Sequence, residues 1–199
     1  MEVPPAIYLL IGYPGTGKYT VGKALVGQIE AAGGSALLVD NHYLNNPIFR
    51  LIATDGKAPI SDEVWDRVTE FRDVVLRTIE TLSPTDRSFI FTNWIAEGES
   101  GADAYLARLK AIAETRHSRF VCVRLTCELA ALKERVPRPD RVERMKWVDA
   151  DAVAALTERH RVYEPAGSCI TIDNTDLSPE KCARQILSQV DLTGARAGS

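Results

Sequence analysis

Nine consecutive residues, Gly12-Tyr13-Pro14-Gly15-Thr16-Gly17-Lys18-Tyr19-Thr20, have the pattern of a turn built to hold phosphate. Glycines at this spacing let the backbone turn tightly, so that successive N–H groups point inward at a polyphosphate. A helix opening directly afterwards adds unpaired amides and the positive end of its dipole. Lys18 supplies a mobile cation for the outer phosphate oxygens. The flanks agree with this reading. Ala6-Ile7-Tyr8-Leu9-Leu10-Ile11 is an apolar run of strand length, and Val21, Ala24, Leu25, Ile29 and Ala32 recur on one helical stripe. Strand, glycine-rich turn and helix form the context in which this motif binds a nucleotide.

One position departs from the standard pattern. The residue after the lysine is expected to be Ser or Thr, whose hydroxyl ligates Mg²⁺; here it is Tyr19, followed by Thr20. A phenol is too long for that contact, which leaves Thr20 as the hydroxyl for the metal. The displaced lysine-any-threonine order resembles the adenylate and other nucleoside monophosphate kinases.

A second polar group, Asp40-Asn41-His42-Tyr43, ends the strand-like run Ser35-Ala36-Leu37-Leu38-Val39. The carboxyl ends of strands are where α/β sheets bind ligands. Asp40 suits three roles: proton acceptor for a substrate hydroxyl, holder of a water in the Mg²⁺ shell, or cap of a following turn. His42 is either a substrate contact or a structural histidine. The run Ser88-Phe89-Ile90-Phe91-Thr92 leads into Asn93-Trp94 with no carboxylate, so Mg²⁺ would depend on phosphates, water, Thr20 and Asp40. Asn93 offers an amide for an acceptor and Trp94 an aromatic wall, with plain core as the competing reading of Trp94. Arg135, Arg138, Arg141 and Arg144 bracket a break at Pro137 and Pro139, a local basic cluster suited to a small anion.

The remaining elements follow from periodicity and punctuation. Gly33-Gly34 stops the first helix, Asn45-Asn46-Pro47 reads as a turn, and a short helix is expected over 48–52. Residues 54–59 read as a loop. Ser61 with Asp62 and Glu63 opens a long helix carrying Val64, Val68, Phe71, Val75, Ile79 and Leu82. A helix with Tyr105, Leu106, Leu109 and Ile112 precedes a fourth strand over 119–125. Helices are expected before Pro137 and from Trp147 to Tyr163, a fifth strand over 169–172, and a last helix opened by Ser178-Pro179-Glu180. Strand and helix alternate five times, which predicts an α/β fold: a three-layer αβα sandwich around a five-stranded parallel sheet.

The 199 residues suit a single domain over 1–191, with 192–199 as a loose tail. A net charge of −3 argues against a nucleic-acid backbone as the main partner. No stretch reaches the ~18 apolar residues of a membrane span, and the N-terminus lacks a signal-peptide pattern, which points to a cytoplasmic protein. The four cysteines form no Cys-x-x-Cys pair and the three histidines are scattered, so no zinc site can be assembled.

Three features, residues 12–20, the arginine-rich break and Ile172-Asp173-Asn174-Thr175, make nearly the whole chain resemble the small P-loop kinases of the adenylate kinase, shikimate kinase and chloramphenicol phosphotransferase group. The resemblance implies the strand order 2-3-1-4-5 and ATP and Mg²⁺ as cofactors. It implies a lid over about 135–146 that brings Arg135, Arg138 and Arg141 to the phosphates, and a loop at Asn174 and Thr175 lying against adenine. Aligned with shikimate kinase, Asp40 stands near the metal and His42 near the substrate; aligned with chloramphenicol phosphotransferase, Asp40 is the base. Arg50 and Arg72 fall in the segment that covers the acceptor, although Arg72 also suits a helix edge. The expected activity is transfer of the γ-phosphate of ATP to a hydroxyl of a small molecule, a metabolite or an antibiotic. A nucleoside or nucleotide kinase is the alternative within enzymes, and an ATP-binding sequestering or switch protein the alternative outside them.

Overall fold

The computed structural model describes residues 3–52, 60–167 and 169–196. Its centre is β1 (Ala6–Ile11), buried at every position. In chain order follow α1 (Lys18–Ala31), β2 (Ser35–Asp40), α2 (Asn41–Leu51), α3 (Asp62–Thr81), β3 (Arg87–Asn93), α4 (Ala102–Thr115) and β4 (Arg119–Thr126). The chain then forms α5 (Leu129–Arg135), α6 (Pro139–Glu143), α7 (Ala150–Arg159), β5 (Ile170–Asp173) and α8 (Pro179–Arg196). The strands make one parallel sheet in the order β2-β3-β1-β4-β5, as the resemblance implies.

Side chains alternate across a strand, so β1 can be wholly apolar only if helices cover both faces. They do. Ile7, Leu9 and Ile11 pack with Leu76 and Ile79 of α3 and with Leu106, Leu109 and Ile112 of α4. Tyr8 and Leu10 pack with Val21, Leu25 and Ile29 of α1 and with Cys182 and Ile186 of α8. Each such side chain contributes ~1.5–3 kcal/mol by leaving water. The register sets Ile11 beside Asn93 and Asp40 beside Thr92, so the ends of β1, β2 and β3 open on one shared edge.

Three local expectations are corrected. The residues 45–47 form no turn, because α2 begins at Asn41 and runs through Pro47. Asp40 caps that helix by accepting from His42 N at 3.0 Å. Pro47 removes only one intrahelical bond, and burial of Leu44 and Phe49 holds the helix against that loss. Secondly, the helix expected from Trp147 to Tyr163 is confined to α7. Its start is set by Asp149, which accepts from Asp151 N and Ala152 N. Its far end yields to an extended segment that pairs with the chain after β3: Glu97 N donates to Arg161 O and Tyr163 N to Ile95 O. Thirdly, α8 continues past Leu192, where the tail was expected to begin. The loop expected over 54–59 lies outside the described residues. Among the described helices none is long and apolar enough to cross a membrane.

Arg116, at the end of α4, fastens the layer that carries β3. It is 3% exposed, and its two terminal nitrogens donate to Ile79 O, Ser83 O, Pro84 O and Arg87 O at 2.6–3.2 Å. Removing it leaves buried carbonyls without donors. Arg116→Met is expected to lower the unfolding free energy by about 3 kcal/mol or more. A urea midpoint equal to that of the unaltered protein would show that the carbonyls do not depend on it.

Candidate nucleotide and acceptor site

The glycine-rich loop between β1 and α1 is tightly confined. A Cβ on Gly12 would lie 2.6 Å from Leu125 O, and one on Gly15 would lie 2.7 Å from Val136 Cγ2. Gly15 and Gly17 have φ of +94° and +86°, where L side chains are strained. Thr16 Oγ1 donates to Tyr13 O at 2.9 Å, and Asn174 Nδ2 donates to Thr16 O at 2.7 Å, tying the loop to the end of β5. Pro14 lies in the turn between them. Lys18 folds its ammonium back across the loop, donating to Gly12 O at 2.6 Å and Tyr13 O at 2.8 Å. Burial and then the neighbouring charges of Lys146 and Arg141 lower its pKa to about 7, with Asp40 opposing. Thr20 is exposed and donates to Gly17 O at 2.8 Å.

Asp40 sits at the same edge, 6% exposed. Its Oδ2 accepts from Thr92 Oγ1 and from Lys146 Nζ, each at 2.8 Å. Burial pushes its carboxyl up, but the Lys146 ammonium and the two donated hydrogen bonds outweigh burial and hold it below the usual range. The His42 ring, with Nδ1 3.2 Å from Asn46 Oδ1, is driven down to about 4 by burial and then by Lys146, so it is neutral at pH 7. Asp40 is therefore a helix cap and the partner of Lys146 at once.

The arginine-rich break separates into distinct roles. Arg135 donates to Asn174 Oδ1, Asn174 O and Thr175 O at 2.7–3.2 Å, clasping α5 to the loop after β5. Arg138 faces outward, 3.9 Å from Glu134. Arg141 turns inward: it donates to Trp147 O through Nε and Nη2, and burial lowers its pKa while Asp40 opposes. Two further cations gather on Tyr19. Arg144, ion-paired with Asp140, has its guanidinium carbon 4.2 Å from the Tyr19 ring centroid, and Lys146 Nζ lies 4.8 Å from it. Sequence reasoning placed Arg144 in the basic cluster but missed Lys146 and this use of Tyr19. The signal was the unusual tyrosine itself.

On the acceptor side, Asn93 Oδ1 accepts from Tyr105 Oη at 3.3 Å, and the Arg72 guanidinium lies 4.8 Å from the Tyr105 ring centroid. The buried Nε of Arg72 has no hydrogen-bond partner among the described residues. Trp94 stacks on Tyr13 with centroids 5.0 Å apart, and the Tyr13 hydroxyl donates to His160 O at 2.6 Å. Trp94 is thus a wall of the loop. Arg50 is exposed in the last turn of α2. A groove of about 440 Å³ runs between α1 and β2, lined by Tyr19, Lys23, Val26, Leu37, Asp40 and Tyr43, and Asn93, Trp94 and Arg72 do not border it.

Lys146 is bonded to the buried Asp40 carboxylate, and Lys18 and Arg141 lie near enough to feel its charge. Such an excess of positive charge suits a polyanion. The metal fits less fully. Thr20 and Asp40 are the oxygen donors at hand, and among the described residues no group of three His, Cys, Asp or Glu could hold an ion. A bound Mg²⁺ would take most of its ligands from phosphates and water, its usual habit.

No family model and no curated protein sequence matches this chain. Solved structures do match. A gluconokinase from Sinorhizobium meliloti 1021 shares 15% identity over 100% of both chains with a TM-score of 0.59. The APS kinase of Mycobacterium tuberculosis, solved in complex with AMPPNP and APS, shares 15% over 94% of this chain and 98% of its own, with a TM-score of 0.60. Shikimate kinase from Acinetobacter baumannii, in complex with shikimate, shares 18% over 96% of each, with a TM-score of 0.51. The chain thus has the fold of the P-loop small-molecule kinases.

Proposed function

We propose that this protein is an ATP- and Mg²⁺-dependent phosphotransferase that moves the γ-phosphoryl group to a hydroxyl of a small molecule. One observation carries the reading: the phosphate-holding loop, three cations and the Asp40 carboxylate share one edge of the sheet. Phosphoryl transfer needs positioning and charge stabilisation more than covalent help. The loop amides and Lys18 hold the outer phosphates, and Arg141 meets charge that spreads over the equatorial oxygens. Mg²⁺, when bound, neutralises the phosphate oxygens. Asp40 accepts the hydroxyl proton of the acceptor, with Asn93 and Arg72 on the side from which the acceptor enters.

The APS kinase was solved with AMPPNP and APS and the shikimate kinase with shikimate, which supports the same class of reaction here. The test is transfer of labelled γ-phosphate from ATP with Mg²⁺ to a panel of sugars and sugar acids, shikimate-like acids, nucleosides, nucleotides and hydroxylated antibiotics. Transfer to one member is the expected result and fixes the acceptor class. Tight ATP binding with no transfer across the panel would favour a sequestering protein instead.

A further inference from the structure

Lys146 lies 106 residues along the chain from the carboxylate it holds. The pair is deeply enclosed, with side chains 11% and 8% exposed. The backbone around it is fastened: Asn46 Nδ2 donates to Arg144 O at 3.2 Å and Lys146 N to Arg141 O at 3.0 Å. Tyr19, in the first turn of α1, places its ring beneath both Arg144 and Lys146. The Lys146 ammonium is therefore delivered to the boundary between Asp40 and the phosphate loop. Its charge is felt at Lys18, which it helps to keep below its usual pKa.

A lysine stem is flexible and its ammonium can change partners without moving the backbone. Two anionic partners are available to this one: the Asp40 carboxylate and whatever phosphate the loop holds. While it is bonded to Asp40, that carboxylate is a poor proton acceptor, because its charge is already compensated. Resting on the reading above, we propose that Lys146 is a two-position cation, neutralising Asp40 in the nucleotide-free protein and passing to the phosphates of a bound nucleotide. The exchange would free Asp40 only when the donor is in place. Tyr19 would keep the ammonium near both positions through its ring face, which gives the departure from Ser or Thr a use.

The test is a double-mutant cycle on ADP affinity, measured by calorimetry in metal-free buffer with Asp40→Asn, Lys146→Met and the double variant. Asparagine keeps an oxygen to cap α2 and removes the charge together with the oxygen that accepts from Lys146. If nucleotide must break the pair, Asp40→Asn tightens ADP binding by about tenfold in the presence of Lys146 and changes it less than about twofold with methionine at 146. Lys146→Met alone weakens binding. An equal gain in both backgrounds would mean simple repulsion between Asp40 and phosphate and would overturn the exchange, as would no gain in either. Absence of ADP binding by the unaltered protein would instead remove the nucleotide reading on which the exchange rests.

Discussion

Asp40→Asn is expected to lower phosphoryl transfer by about 10²–10⁴-fold, the usual range for loss of a positioned general base, while nucleotide affinity holds or rises. The substitution is close to isosteric. Asn keeps an oxygen that accepts from His42 N, and its amide nitrogen, standing where Oδ2 was, donates to Thr92 Oγ1 instead of accepting from it, so α2 keeps its cap and the β2–β3 contact survives with its direction reversed. What disappears is the charge that receives a proton and that faces Lys146. The measurement is kcat and KM for both ATP and the acceptor identified in the panel, with circular dichroism as a check on folding. A drop confined to kcat supports a role in the chemical step. Turnover within about threefold of the unaltered protein, far short of that range, would remove Asp40 from the mechanism. The pH profile supplies an independent check. The Asp40 carboxyl is held below the usual carboxylate range in the free protein, so an acidic limb that belongs to this group should vanish in the asparagine variant.

Much of this site is legible in sequence because its central part is contiguous. β1, the loop and the start of α1 occupy adjoining residues, and their order alone defines the strand–turn–helix unit. The sheet was legible for a related reason: buried parallel strands read as apolar runs, and the helices between them announce themselves by period. What was not legible depends on pairs far apart in the chain. Arg135 spends its guanidinium on Asn174 and Thr175, roughly forty residues away, a fact no local pattern encodes. Its basic neighbourhood looked like one lid, yet Arg138 points outward and Lys146, set apart by no motif, reaches Asp40. Trp94 and Tyr13 meet only because β3 lies beside β1. Local rules also failed where one favourable feature outweighed an unfavourable one. Pro47 normally ends a helix, but the Asp40 cap and two buried side chains carry α2 through it.

Lys18→Met is expected to weaken ATP and ADP binding by about a hundredfold, the scale of charge-assisted hydrogen bonds to phosphate. It is also expected to abolish a distinctive pH dependence. In the free protein the Lys18 ammonium has its pKa lowered from 10.5 to about 7, first by burial and then by Lys146 and Arg141. Phosphate oxygens favour the protonated form, so the bound-state pKa must lie above the free-state one. Affinity should therefore be flat below about pH 7 and fall as pH rises beyond it, by up to about tenfold per unit. Stability of the nucleotide-free protein runs the other way. Between about 7 and 10.5 the unfolded chain holds a proton that folded Lys18 does not, so this group adds stability as pH rises through that window. Calorimetric titrations with ADP at several pH values, paired with urea unfolding, test both slopes in one protein. The methionine variant should show a flattened affinity profile and lose Lys18's share of the stability slope, while Lys146, also lowered by burial, keeps its own. An affinity profile that falls equally in both proteins would place the titrating group elsewhere and leave Lys18 a bystander to phosphate binding.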